Sequence, residues 1–285
     1  MEARGVEISA RTGLVGVLGH PVDHSLSPRI HNAAFRAQGV DMVYLAFEVR
    51  LEQLGSAVEG IRALRMRGAN VTVPHKEAVL GLLDMVDPVA SRIGAVNTIV
   101  NDEGRLFGYN TDVSGFLAAL RSIQPEGARG LSCLLAGAGG AARAVVAALV
   151  EEGAQVVWVH ARTFERAAVL CASAAAWGQT ACEPILEDRL AEAARSADLI
   201  INATPVGLSA SVKESAVPVD NLHSRHVVMD LVYGSRPTAL VEAARAKGVV
   251  ATDGKEMLVM QAASSYRLWT GLEPPLDTMR NSIDL

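Results

Sequence analysis

Leu131-Ser132-Cys133-Leu134-Leu135-Ala136-Gly137-Ala138-Gly139-Gly140-Ala141-Ala142-Arg143 is the stretch that decides how this chain is read. Residues 131–136 are a short apolar run, the length of a strand buried inside a parallel sheet. Gly137, Gly139 and Ala142 then match G-x-G-x-x-A, and small and apolar residues continue at helical density from Gly140 to Glu152. Strand, glycine turn and helix in that order suit a pyrophosphate. The glycines permit a tight turn and a close backbone approach, and the helix start offers free N–H groups and partial positive charge. Gly137, Ala138, Gly139, Gly140 and Ala141 are the expected cradle. Gly-Ala clusters also occur in close-packed turns without a ligand, so the reading rests on the whole strand-turn-helix order.

Residues 155–160, Gln-Val-Val-Trp-Val-His, read as the next parallel strand, whose end lies beside the adenosine ribose in such a fold. A site for NAD usually places Asp or Glu there. This chain has Ala161-Arg162-Thr163-Phe164-Glu165-Arg166. The guanidiniums of Arg162 and Arg166 and the Thr163 hydroxyl suit a 2′-phosphate, which favours NADP. The plainer alternative is a solvated arginine pair opening a helix, partly neutralised by Glu165.

Composition narrows the class. The chain has 285 residues, 50% of them hydrophobic and 20% charged, enough for two modest domains. Aromatic residues make up only 4%, so the core is expected to be aliphatic. A net charge of -5 argues against a nucleic-acid surface, and any anionic ligand needs local positive charge. Cys133, Cys171 and Cys182 show no C-x-x-C pairing. With no signal-peptide layout and no apolar run of membrane-spanning length, a reducing cytoplasm is the expected compartment, with no membrane partner.

Upstream of the glycine turn, strands and helices alternate. Leu14 to Leu18 is a strand, and Gly19-His20-Pro21 turns the chain. Ser27 is placed as an N-cap with Pro28 at the first helical position, and Gly39 ends that helix. Capping accounts for Ser27 but not for Ser25, and a second hydroxyl beside a helix start could bind a carboxylate. Residues 42–49 alternate like a strand, and 51–67 predict an amphipathic helix. Residues 69–73 form another strand, after which Pro74 is expected to open a helix with Lys76 in its first turn. A cation is disfavoured at that end of the macrodipole. Lys76 therefore has a purpose or is merely exposed. Asp87-Pro88 starts a short helix, and residues 95–100 and 105–108 form a hairpin around Asn101-Asp102-Glu103-Gly104. Asp112 precedes a helix, where capping is the commonest use of Asp.

Downstream the pattern continues: a helix over 164–177, a helix near Leu190, and a strand over 198–202. Thr204 lies in the loop after that strand, where the nicotinamide end of a dinucleotide could sit. Residues 209–221 read as loop, 226–231 as strand, 237–247 as helix and 249–252 as a last short strand. In the helix over 255–269, Met257, Gln261 and Ser264 share a face. Gln261 is either solvated or reaches a polar ligand. The seven histidines have no metal-ligand spacing, and there is no G-x-S-x-G or comparable nucleophile signature. The fold class is α/β, in two units, with the boundary at the helix over 113–122 and the loop Gln124-Pro125-Glu126-Gly127.

Seven segments occur in order: Ser25-Leu26-Ser27-Pro28, Asn70 to Glu77, Gly94 to Thr98, Gly108 to Asp112, Gly137 to Ala141, Asn202 to Pro205, and Gln261-Ala262-Ala263. Together they resemble the shikimate dehydrogenase family over roughly residues 12–271. The resemblance implies a substrate domain over residues 1–112, completed by 254–285 as the last helices return to it, with a mainly parallel sheet. It implies a Rossmann-like NADP domain over residues 113–253. The implied reaction is the NADP-dependent, reversible reduction of 3-dehydroshikimate to shikimate, a step of the shikimate pathway toward aromatic amino acids. Lys76 and Asp112 would form the catalytic pair. Ser25, Ser27, Thr72, Asn97, Tyr233 and Gln261 would join them in holding the substrate. Arg162, Thr163 and Arg166 match the 2′-phosphate positions, and Leu231 and Gly254, with Thr204 nearby, would lie by the nicotinamide. The implied partners are small molecules alone, with the protein a monomer or homodimer.

The physics fits those roles: the reaction needs a hydride on one face of the carbonyl and a proton on its oxygen, and a lysine ammonium can donate that proton. Four positions depart from the family pattern. Gly19-His20 stands where Asn often precedes Pro, Ala161 where Asn precedes Arg-Thr, Val113 where Gly follows the Asp, and Tyr233-Gly234-Ser235 for Tyr-Asn-Pro. None removes a catalytic group. They keep a quinate or amino-shikimate dehydrogenase, using NAD or NADP, as the alternative.

Overall fold

The structure is a computed structural model and describes residues 8–208 and 214–283. The chain divides into two compact units. One comprises the residues up to Gly115 together with those from Leu258 onward, and the other comprises Phe116–Met257.

The first unit runs β1 (Gly13–Gly19), α1 (Ser27–Gln38), β2 (Met42–Glu48), α2 (Leu54–Ala63), β3 (Gly68–Val71), β4 (Met85–Val86), α3 (Pro88–Ile93), β5 (Thr98–Asp102), β6 (Arg105–Tyr109) and α4 (Asp112–Ile123), the last crossing the division. Its strands form one sheet in the order β2-β1-β3-β5-β6-β4. β1 pairs parallel with β2 and β3, and β4 pairs parallel with β6, whereas β5 runs antiparallel to β3 and β6. Apolar residues cover both faces. Val15, Val17, Ile30, Phe35 and Tyr44 are buried on one side, and Leu18, Leu54, Ile61, Val71, Ile99 and Leu106 on the other. Burying each large aliphatic chain contributes about 1.5–3 kcal/mol, which is how a core with few aromatics suffices.

In the second unit a parallel sheet has the order β12-β11-β10-β7-β8-β9. Its strands are β7 (Ser132–Ala136), β8 (Val156–His160), β9 (Ala181–Ile185), β10 (Leu199–Asn202), β11 (Val227–Asp230) and β12 (Val250–Thr252). The helices α5 (Gly140–Glu152), α6 (Phe164–Ala174), α7 (Glu187–Ser196) and α8 (Ala239–Ala246) alternate with them. Strand order reverses between β7 and β10, so the glycine turn after β7 sits at the switch point where such sheets bind ligands. The chain closes with α9 (Lys255–Thr270) and α10 (Leu276–Asn281). Val259, Ala262, Tyr266 and Met279 from these helices pack into the first unit's core beside Phe35 and Tyr44.

Several boundaries differ from the sequence expectation. No α-helix follows Pro74. The Lys76 carbonyl accepts from Val96 N at 2.8 Å instead of from the residue four places on, and only a 3-10 turn, Ala78–Leu82, forms. Lys76 is thus not at the positive end of a macrodipole, contrary to the sequence expectation. Ser27 is not an N-cap: it is already helical, Leu26 holds the cap position, and no side chain caps α1. The helix expected over 51–67 is a 3-10 turn, Leu51–Gln53, followed by the shorter α2. The hairpin's first strand begins at Thr98 rather than at residue 95. The edge strand β9 was not expected at all. Its outward face is exposed and Pro184 lies within it, which a sheet tolerates only at an edge. Of the loop expected over 209–221, residues 209–213 lie outside the described residues, and the remainder is irregular apart from a 3-10 turn, Val219–Asn221.

Gly68, where β3 begins, admits no side chain. A Cβ there would collide with Ile99 O, itself hydrogen-bonded by Trp269 Nε1 at 2.9 Å. Gly68→Ala should therefore cost about 1–3 kcal/mol of stability, read as a lower urea midpoint at unchanged slope. An unaltered midpoint would show that this contact can relax.

Candidate functional site

The carboxyl ends of β1 and β3 lie together, because Thr72 N donates to Leu18 O at 2.9 Å and His20 N to Val73 O at 3.0 Å. From this corner the loop after β3 carries Lys76, whose backbone is fixed by the bond from Val96. Next in the sheet, Asn97 is held on both sides: its N–H donates to Tyr109 O at 3.0 Å and its carbonyl accepts from Val71 N at 2.8 Å. Asp112 follows β6 as the first residue of α4. Three strands thus deliver three polar side chains to one place.

There Lys76 Nζ donates to Asp112 Oδ2 at 2.6 Å, and Asn97 Nδ2 donates to Asp112 Oδ1 at 2.8 Å. The Lys76 side chain is 14% exposed and that of Asp112 7%. A pair this buried adds little net stability, since desolvation offsets the attraction, yet losing one partner strands a buried charge. An ammonium has three donors and a carboxylate about four acceptor sites. Lys76 and Asp112 can therefore each engage a ligand oxygen without releasing the other. That is the arrangement of a proton donor beside an orienting anion.

The other expected substrate residues of this unit are placed as follows. Ser25 Oγ accepts from Ser27 N at 3.3 Å, so the two meet where the chain enters α1. With the capping role gone, nothing in the helix start accounts for the Ser27 hydroxyl. Thr72 stands at the end of β3, its carbonyl accepting from His75 N at 2.8 Å. Gln261 is 9% exposed on α9 and donates to Leu258 O at 2.7 Å, so it is not solvated. Among the described residues no side-chain hydrogen bond joins Ser25, Ser27, Thr72 or Gln261 to Lys76 or Asp112. Tyr233 belongs to the second unit, after β11, and burial pushes its phenol above the usual range.

In the second unit, Gly137 has φ 121° and lies against Ala203, whose carbonyl oxygen would be 2.8 Å from any Cβ. Ala203 N in turn donates to Ala136 O at 2.7 Å, closing the turn. Gly139 holds the cap position of α5, which has no side-chain cap and no acidic residue in its first turn. Gly140 and Ala141 begin the helix and Ala138 is half-buried beside them. Uncapped amides at the start of a helix, approachable because glycine carries no side chain, fit a pyrophosphate. Past the end of β8, Arg162, Thr163 and Arg166 are exposed. Thr163 is the cap residue of α6, but its hydroxyl makes no capping bond, and neither arginine is ion-paired to a described residue. Two guanidiniums without an ion-pair partner among the described residues, and a hydroxyl that makes no capping bond, fit the 2′-phosphate of NADP.

Thr204, Leu231 and Gly254 follow the adjacent ends of β10, β11 and β12. Gly254 N donates to Val232 O at 3.1 Å, and a Cβ at Gly254 would strike the Leu231 carbonyl. Asp230, which the sequence reading passed over, ties these loops. It accepts from Asn202 Nδ2 at 2.8 Å, Val232 N at 3.0 Å and Thr238 Oγ1 at 2.6 Å, while Asn202 Oδ1 accepts from Thr204 N at 3.0 Å. Burial raises the Asp230 carboxyl to about 6, opposed by those donors and reinforced by Asp253. The folded protein thus holds this proton more tightly than the unfolded chain, where the group returns to 3.8. Between those values the folded state binds more protons, so this group's contribution to stability falls as pH rises and its cost is complete above about 6. Relative to Asp230→Asn, the wild type should gain about 2 kcal/mol on going from about pH 7.5 to about pH 4.5 in urea titrations. A parallel pH dependence in the two proteins would contradict the burial argument.

The sequence reading also missed a buried polar group behind Asn97, formed by Asn70, Thr98, Thr111 and Ser265. An asparagine in the middle of the apolar run 69–73 was the available signal, since a buried carboxamide must find partners. Among the described residues no cluster of three or more His, Cys, Asp or Glu could hold a metal ion, and no helix is long and apolar enough to cross a membrane.

Comparison with known proteins bears on both units. The family model described as shikimate dehydrogenase substrate binding domain matches residues 17–99. The model described as shikimate / quinate 5-dehydrogenase matches 120–258, and the one for the shikimate 5'-dehydrogenase C-terminal domain matches 254–283. Shikimate dehydrogenase (NADP(+)) of Moorella thermoacetica is 47% identical over 281 residues, covering 96% of this chain and 93% of the relative. Shikimate 5-dehydrogenase of Thermus thermophilus, solved in complex with NADP(H) and shikimate, is 41% identical with a TM-score of 0.84, covering 95% of this chain and 98% of that one. Quinate dehydrogenase of Corynebacterium glutamicum, solved with NAD, is 36% identical with a TM-score of 0.88, covering 96% and 99%. Similarity of this extent, with family models matched in both units, establishes that the chain belongs to the shikimate dehydrogenase family.

Proposed function

We propose that the protein is an NADP-dependent shikimate dehydrogenase, interconverting 3-dehydroshikimate and shikimate. The observation that carries the chemistry is the bond from Lys76 Nζ to Asp112 Oδ2, with Asn97 on the other carboxylate oxygen. NADPH, when bound, supplies the hydride to the carbonyl carbon. Gly137 to Ala141 would take its pyrophosphate, Arg162, Thr163 and Arg166 its 2′-phosphate, and Thr204, Leu231 and Gly254 would flank the nicotinamide. In the reductive direction the Lys76 ammonium gives its proton to the carbonyl oxygen as negative charge develops there. Asp112 stays a carboxylate, holding Lys76 in place and accepting from a ring hydroxyl. In the oxidative direction the neutral amine of Lys76 takes the alcohol's proton. Ser25, Ser27, Thr72, Asn97, Tyr233 and Gln261 would bind the carboxylate and hydroxyls. A site of many fixed polar partners rejects analogues lacking a hydroxyl, because its own groups are then left unpaired. Every assigned partner is a small molecule.

Purified protein mixed with shikimate and NADP should produce NADPH, seen as rising near-ultraviolet absorbance. The likeness to a quinate dehydrogenase and the Ala161 departure support a second reading, in which quinate or an amino-shikimate is the substrate and NAD serves as well. Values of kcat/KM for the three substrates with both cofactors decide between them. The main reading expects the highest value for shikimate with NADP, and a higher value for quinate with NAD would replace it.

A further inference from the structure

Behind the Lys76–Asp112 pair, buried donors follow one another toward the carboxylate. Asn70, in the middle of β3, is 6% exposed, and Tyr44 Oη donates to its Oδ1 at 2.8 Å. Asn70 Nδ2 is left to donate, and its two protons are shared among Asn97 O at 3.1 Å, Thr98 Oγ1 at 3.0 Å and Ser265 Oγ at 3.0 Å. Thr98 and Ser265 are fully buried with their hydroxyls 2.9 Å apart. Ser265 Oγ also lies 3.1 Å from Gln261 O, the other acceptor within reach of its one proton. Because the one proton of Thr98 goes to Asn97, the contact between the two hydroxyls is a hydrogen bond when Ser265 donates to Thr98. Thr98 Oγ1 donates to Asn97 Oδ1 at 3.0 Å, and Thr111 N donates to the same oxygen at 2.8 Å. A backbone N–H cannot accept, so that atom of Asn97 must be the carbonyl oxygen. The amide nitrogen is thereby forced to face Asp112.

We propose that the Thr98 and Ser265 hydroxyls are positioning residues for the reaction: by adding a side-chain donor to Asn97 Oδ1 beside the Thr111 N–H, they steady the carboxamide that donates to Asp112 and so set the carboxylate against the Lys76 ammonium. The inference rests on Lys76 and Asp112 being the reacting pair. Neither hydroxyl meets the pair directly, and each acts through Asn97. Without the Thr98 donor, Asn97 Oδ1 keeps only contacts from Thr111, its N–H at 2.8 Å and its hydroxyl at 3.2 Å, and the carboxamide can swing about that one side. Misplacement on the ångström scale can cost up to about 100-fold in rate.

Thr98→Val keeps the side chain's size and removes its hydroxyl, Thr98→Ser keeps the hydroxyl, and Ser265→Ala removes the other member. The measurements are kcat and KM for shikimate, with the urea midpoint alongside. Thr98→Val and Ser265→Ala should lower kcat by about 5- to 50-fold while KM moves less than about threefold, and Thr98→Ser should stay within about twofold of wild type. A purely structural role would lower the urea midpoint and leave kcat of the folded enzyme unchanged, and that result overturns the proposal. Equal losses in Thr98→Ser and Thr98→Val overturn it too, since shape and not the hydroxyl would then matter. If Thr98→Val does not fold, Ser265→Ala carries the same decision. Lys76→Ala separates the two failures: if it keeps full activity, the reading of the pair fails, whereas an inactive Lys76→Ala beside unaffected hydroxyl variants overturns only the positioning role.

Discussion

Lys76→Ala is expected to lower kcat for shikimate oxidation by about 1,000-fold, with KM changed far less. A positioned acid or base contributes roughly 100- to 10,000-fold, and Lys76 is the cationic donor bonded to the buried Asp112 carboxylate. The substitution also strands that carboxylate, which costs about 3–5 kcal/mol when a buried pair loses one partner. Lost activity alone could then reflect lost folding. Adding Asp112→Asn neutralises the stranded charge, so Lys76→Ala with Asp112→Asn should recover most of the urea midpoint and none of the activity. Were the double variant to regain turnover along with stability, the role of Lys76 would be structural.

The second large effect concerns the cofactor. Replacing Arg162 and Arg166 together by Ala should raise KM for NADP by about 100-fold and move KM for NAD by only a few-fold. Charge-assisted hydrogen bonds contribute about 1.5–3 kcal/mol each, reduced here because both side chains are exposed. The wild-type preference should also weaken with salt, as exposed charges do. An equal loss for both cofactors would mean that the arginines serve the turn and not the 2′-phosphate. NADP binding measured at two ionic strengths, alongside the kinetics, checks the point independently of turnover.

Elements built from contiguous residues were the legible part of the sequence. The glycine turn was legible because strand, turn and helix are contiguous, and α5 runs over Gly140–Glu152 as the residue pattern suggests. The parallel sheet of the second unit followed from the same alternation, although β9, with Pro184 inside it and Ala181 and Glu183 exposed, gave no such signal. Lys76 was noticed for a local reason that the fold removes, since its carbonyl bonds Val96 and no helix forms. Its nearness to Asp112 depends on the order β3-β5-β6, a non-local fact. Ser27 shows the converse: a capping rule explained it, and the helix begins one residue too early for that rule to apply. Thr98, Ser265 and Asp230 went unread because each is a common polar residue whose meaning lies in partners from distant strands or helices. Ser265 is 167 positions from the Thr98 hydroxyl it meets.

Chemical rescue tests the central assignment most directly. The Lys76→Ala enzyme, given shikimate and NADP, is assayed with increasing ethylammonium and, separately, with tetramethylammonium, which carries charge but no N–H. Turnover that rises and saturates with ethylammonium, and does not respond to tetramethylammonium, is the expected result. Equal stimulation by both ions, or by neither in an enzyme that still binds shikimate, contradicts the assignment of proton transfer to Lys76.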